Sequence, residues 1–221
     1  MTAENSDLPG LTVTELGRAN YIASQVFHHG SGTVPKHDLA SYLSVARAVY
    51  QAAMNAAEQS TDAEDRAGYS KVAYMTAYNI AANCWPGWSE DGAAVTDEQR
   101  ELGAGFARAH LKIVSRLDVS AEANAYWINA AHELAAGDHE AAKRMFSTCA
   151  DRAASEGATD VEEMAGGWVA LVKVLQGLEG AEDELKASKR RLVEMGGDGP
   201  FYAEQYGPAL GCVRILSAPA R

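Results

Sequence analysis

The amino-acid sequence predicts an all-α fold, and three observations predict it. Hydrophobic residues make up 47% of the 221-residue chain but aromatics only 8%. Alanine is the largest single contributor to the difference, and it is the best intrinsic helix former because its side chain loses no entropy in a helix. The pattern Thr-x-x-Glu/Gln recurs where apolar periodicity begins, which marks capped helix starts. No stretch alternates apolar and polar residues with β-branched enrichment for long enough to make a strand.

About nine helices follow in order. The first, 12–29, opens on Thr12, whose hydroxyl can accept the backbone N–H three residues on while Glu15 reaches back to the cap's own N–H. The second, 36–59, starts at Lys36 behind Pro35, and the preceding "HHGSGTVPKH" reads as a loop because it lacks the GxxxxGK[ST] order of a phosphate cradle. The third, 61–84, uses the pair Thr61 and Glu64. "NCWPGWSEDG" ends it: Pro86 has no N–H and clashes with the preceding turn, and Gly87 permits the reversal. The fourth, 96–117, pairs Thr96 with Gln99. The fifth, 120–136, begins at Ser120, and the sixth, 138–156, follows Gly137. The seventh, 159–178, pairs Thr159 with Glu162; its Gly166 and Gly167 each weaken a helix interior by ~1 kcal/mol relative to alanine, so a kink or a close helix contact is expected there. The eighth, 181–195, carries Glu182, Asp183 and Glu184 in its first turn and Lys189, Arg190 and Arg191 towards its last, which complements the helix macrodipole. The basic trio therefore reads as a helix end, not a binding patch. The ninth, 201–216, follows Pro200. Residues 1–11 are expected to be a disordered leader, and 12–221 a single helical domain whose short connections imply antiparallel neighbours.

The formal net charge of −11 opposes nucleic-acid phosphates and anionic lipid heads, so neither nucleic acid nor membrane is expected as a partner. Cys84, Cys149 and Cys212 are far apart, odd in number and form no CxxC pair, which fits a reducing, cytoplasmic setting. No secretion signal and no run of ~18 apolar residues is legible. The histidines lack HExxH spacing: adjacent His28 and His29 point about 100° apart on a helix, and Gly137-Asp138 should break the helix between His132 and His139. No metal or cofactor is expected. No Ser-His-Asp set, GxSxG elbow or GxGxxG fingerprint occurs, so the chain is not expected to be an enzyme.

The segment 123–150, "ANAYWINAAHELAAGDHEAAKRMFSTCA", places an aromatic at Tyr126, small residues at Ala130, Ala142 and Cys149, a turn at Gly137-Asp138 and a second aromatic at Phe146. This resembles a tetratricopeptide repeat, departing from the family pattern at Asn129 and Glu133. A longer copy aligns Tyr78, Ile80 and Ala82 in its leading helix with Leu102, Phe106 and Ala109 in its trailing one. From Tyr78 to Phe106 is 28 residues, against 20 from Tyr126 to Phe146, so "WPGWSEDG" reads as an eight-residue insertion. Residues 42–59 and 168–192 carry the pattern weakly.

The resemblance implies antiparallel hairpins stacked as a right-handed α-solenoid, because single repeats cannot cover their own apolar faces. It also implies that the leading helices line a concave groove. The positions facing it would be Thr76, Asn79 and Asn83 in one repeat and Asn124, Trp127 and Ala131 in the next. Asparagine amides both donate and accept, which suits the backbone of an extended peptide, and Trp127 could cover an apolar side chain. Trp85 and Trp88 would either close the core as a lid or stand at the groove rim as contacts. The function implied is a protein- or peptide-binding adaptor with binding residues Asn79, Asn83, Asn124, Trp127, Trp85 and Trp88. Two alternatives stay open: a closed bundle with an enclosed polar pocket using His132 and Glu133 near Tyr126, and a homodimer formed through 199–216.

Overall fold

Helix ends follow local side-chain chemistry in the computed structural model, which describes residues 10–29, 38–88, 95–117 and 121–218. The Thr12 N–H donates to Glu15 Oε2 at 2.8 Å while the Glu15 N–H donates to Thr12 Oγ1 at 3.3 Å, and α1 (Val13–His29) begins there. The same reciprocal pair joins Thr96 and Gln99 ahead of α4 (Asp97–Leu117). Lys36, Pro35, Ser120 and the leader up to residue 9 lie outside the described residues; α2 (Leu39–Gln59) is capped by Asp38, whose Oδ1 accepts the Ser41 N–H at 3.1 Å.

Two expected caps differ. Before α3 (Ala63–Asn83), Asp62 and not Thr61 receives the first-turn donors, with the Glu64 and Asp65 N–H groups both 2.9 Å from its Oδ1. A carboxylate is the stronger acceptor and also complements the positive helix end, so it wins over the neighbouring hydroxyl. Before α7 (Thr159–Leu175), the cap residue is Ala158, and Thr159 is already inside the helix. The reason lies upstream: α6 (His139–Glu156) ends in left-handed Gly157, φ 73°, so Ala158 alone separates the two helices. The remaining elements are a 3₁₀ turn at Pro86–Trp88, α5 (Glu122–Ala135), α8 (Ala181–Met195) and α9 (Gly199–Leu216). Pro200 sits in the first turn of α9, where a missing N–H costs nothing. No strand occurs among the described residues.

The chain divides into two compact units, 1–83 and 84–221. In the first, α1, α2 and α3 pack on one another. Tyr42, Leu43, Ala46, Val49, Ala53 and Ala57 recur at helical spacing along α2 and are buried, as is Leu16 of α1. Gly68 of α3 lies against Val13, and the Tyr69 hydroxyl donates to the Leu11 carbonyl at 3.3 Å, fixing the start of α1 on α3.

In the second unit each helix from α4 to α9 packs on the next in sequence. Cross-contacts show the antiparallel order. Along α4 and α5, Asn129 reaches Ala107 and His132 lies by Gly103. Along α6 and α7, Phe146 stacks on Trp168 and Gln176 donates to Glu140. Along α7 and α8, Arg191 pairs with Glu163 and Lys173 with Glu184. The turn between α5 and α6 is Gly137-Asp138: Gly137 has φ 85°, a left-handed conformation open to glycine, and Asp138 caps α6 by accepting the Ala141 N–H at 2.8 Å. In addition α9 packs on α7, touches α5 and packs on the 3₁₀ turn.

α7 is unbroken through its Gly-Gly pair. A Cβ at Gly167 would collide with the Tyr206 hydroxyl and lie 2.6 Å from Ser188 Oγ, so this glycine is the point where α7 meets α8 and α9. A Cβ at Gly166 would meet nothing within 4 Å.

Candidate functional site

The four tryptophans meet inside the unit 84–221. After α3 stops at Asn83, Pro86 lies in the short 3₁₀ turn and Gly87 lies flush against the Trp85 ring, where any Cβ would clash. Trp85 is 1% exposed and its indole N–H donates to the Ala131 carbonyl at 3.0 Å, tying the turn to α5. Its ring meets Trp88, Trp127 and Trp168 edge-on at centroid distances of 4.9, 5.9 and 5.5 Å. Trp168 is also stacked on Phe146 and edge-on to Tyr206, both at 5.3 Å. Such geometries suit the ring quadrupole, and together they form the aromatic core under α5, α6, α7 and α9. The Tyr206 hydroxyl donates to the Met164 carbonyl at 2.8 Å, and burial raises its pKa. The indole N–H groups of Trp127 and Trp168 are buried and have no partner among the described residues.

The residues singled out by sequence therefore separate. Trp85, Trp88 and Trp127 come together, but Trp85 and Trp127 are buried, at 1% and 4% exposure, and only Trp88, at 44%, reaches the surface. Asn124 is exposed on α5. Asn79 and Asn83 belong to the unit 1–83, and the Asn83 amide is turned onto its own helix, donating to the Asn79 carbonyl at 2.8 Å. Thr76 is buried and donates to the Val72 carbonyl, and Ala131 is wholly buried. The two helices of the longer repeat copy, carrying Tyr78 and Phe106, fall in different units. His132 is buried and Glu133 half-buried. Among the described residues no group of three or more His, Cys, Asp or Glu side chains is placed to hold a metal ion, and no helix is long and apolar enough to cross a membrane.

An open cleft that the sequence did not disclose lies elsewhere in the second unit. It measures about 640 Å³ and runs between α6 and α8, with α7 as its floor. The floor carries Glu163, Gly166 and Ala170, positions that share one helix face. The α8 wall contributes Glu184, Ser188, Arg191 and Met195. Arg191 holds Glu163 with two parallel bonds of 2.8 Å, and this charge-assisted pairing raises the Arg191 pKa. Ser188 donates to the same carboxylate at 2.8 Å. The α7 face is legible in sequence as a Glu-x-x-Gly-x-x-x-Ala spacing, but that pattern equally describes a helix contact, and only the packing shows that the Gly166 side is open while the Gly167 side is closed.

Compared with known proteins, the chain matches no family model, no curated protein and no solved structure.

Proposed function

We propose that this chain is a protein- or peptide-binding helical module, built of tetratricopeptide-like hairpins in a solenoid-like stack, whose ligand surface is the cleft over α7. The hairpin α5–α6 supports the repeat reading: Ala130, Ala142, Phe146 and Cys149 are all fully buried around the Gly137-Asp138 turn. So do the contacts among α5, α7 and α9, which would be the leading helices of successive hairpins. The ligand surface moves, however. In the family the leading helices face the ligand, whereas here Trp127 and Trp168 on those helices are covered by the 3₁₀ turn and by Tyr206 of α9.

The observation that carries the reading is the cleft of about 640 Å³, which is an open groove between two helices and not an enclosed pocket, and so suits a chain segment better than a small molecule. Its glycine floor lets a ligand backbone approach closely, and its walls offer paired charges and a hydroxyl for orientation. The test is a selection from a random fluorescent peptide library on the immobilised full chain, repeated with Gly166→Trp. That side chain would project into open space and fill the cleft. Selected peptides are expected to lose at least about tenfold in affinity for Gly166→Trp and to bind Asn124→Ala as they bind the parent chain. Peptides that ignore Gly166→Trp, or a selection that enriches nothing, would remove the cleft from the account.

A further inference from the structure

The charge distribution along the cleft specifies the kind of peptide. We infer that the cleft takes an extended segment of a partner protein bearing two lysine or arginine side chains about four residues apart; this rests on the reading of the cleft as the ligand surface.

Three carboxylates, Glu162, Glu163 and Glu184, line the cleft against one guanidinium, Arg191. Glu163 is already satisfied by Arg191 and Ser188. Among the described residues Glu162 has no cation partner. Glu184 shares Lys173 at 2.6 Å in a pair half open to solvent, which an incoming cation can replace, since exposed pairs of this kind are weakly held. The two carboxylates left to a ligand therefore sit towards opposite ends of the cleft: the antiparallel pairings put Glu162 beside the Glu163–Arg191 rung and Glu184 at the Lys173 rung. At 1.5 Å of rise per helical residue these rungs are roughly 10–15 Å apart, which an extended chain spans in about four residues. Between them lie Gly166 and Ala170, which leave room for a backbone and small side chains. An anionic segment would meet the unpaired Glu162 at one end and would compete with Glu184 for Lys173 at the other, so the charge of the cleft selects against it.

The inference is tested by fluorescence anisotropy on the full chain with synthetic peptides of one Gly-Ser-Ala background. One carries two lysines about four residues apart, one two adjacent lysines, one two glutamates and one two glutamines. The spaced-lysine peptide is expected to bind best and to weaken as salt rises from roughly 0.05 to 0.5 M. Glu162→Gln and Glu184→Gln should each weaken it by about fivefold or more, and Gly166→Trp should abolish it. If all four peptides bind alike and Gly166→Trp abolishes them all, the cleft binds peptides without reading charge: the inference fails and the proposed function stands. If the lysine peptides bind but ignore Gly166→Trp and both glutamine variants, they are held by the acidic surface at large, and the inference fails again. If none of the four binds, the inference is overturned, while the library selection decides the function separately.

Discussion

At the residue scale, Trp85 and Trp127 are a matched pair that isolates the worth of one hydrogen bond. Both indoles are buried in the same aromatic cluster, but the Trp85 N–H reaches the Ala131 carbonyl while the Trp127 N–H reaches no acceptor among the described residues. Replacing either by phenylalanine removes a similar volume. Only at Trp85 does it also remove a satisfied bond, whereas at Trp127 it removes a buried donor that was never compensated. Urea unfolding is expected to show Trp85→Phe costing about 1–2 kcal/mol more than Trp127→Phe. Equal costs would mean that the bond contributes nothing, or that the Trp127 donor is satisfied in solution. The burial of Trp127 is also set by partners far from it in the chain. Beside Tyr126 on a helix, Trp127 points about 100° away, so local geometry turns one ring to the core and the other outward. In the structure Trp127 is the more buried of the two, because Trp85 and Trp168, distant in sequence, close over it. Local periodicity carries no information about such partners.

At the element scale, the consecutive glycines of α7 test whether the helix is held by contact or by propensity. Gly167 faces Tyr206 and Ser188 with no room for a methyl group, and Gly166 faces open space. Gly167→Ala should destabilise by about 1–3 kcal/mol through overpacking, read as a lower urea midpoint with an unchanged slope. Gly166→Ala should be neutral or stabilising by up to about 1 kcal/mol, since it gains helix propensity at no steric cost. Similar losses at both positions would overturn the account of α7 as the contact point for α8 and α9. Elements were the most legible level in the sequence. Capping at Thr12 and Thr96, and the acidic first turn of α8, follow from interactions within one turn, which a sequence displays directly. The basic trio does not mark the end of α8, whose last turn holds no cation, and Arg191 turns instead to Glu163 of α7 and lines the cleft. The misreadings at Thr61 and Thr159 arose where a second local choice competed, the Asp62 carboxylate in one case and the Gly157 helix stop in the other. The cleft was not legible for a different reason. It exists because α6 and α8 both rest on α7 and leave one of its faces uncovered, a relation among three helices that no single helix encodes.

At the scale of the whole molecule, the three thiols report on the cooperativity of the unit 84–221, to which all of them belong. Cys84 follows α3, Cys149 lies on α6 and Cys212 on α9, and each is buried. Burial pushes the Cys84 and Cys149 thiols up to about 12, from an ordinary value near 9. A proton is therefore held by the folded state at a pH where the unfolded chain has released it, so this contribution to stability is complete below about pH 9. It is lost as pH rises from there through about 12. Two measurements follow from the same burial. At pH 8 a disulfide reagent should leave the native protein unlabelled, because reaction needs the thiolate and access to it. With increasing urea the three cysteines should become reactive together, at one midpoint matching the loss of tryptophan emission, since the aromatic cluster and the thiols share one core. Labelling of Cys212 well before Cys149 would show that α9 detaches from the rest of the unit as a separate step. The aromatic cluster would then be opened by the departure of Tyr206, and the packing of α9 over α7 would be a local association and not part of the cooperative core.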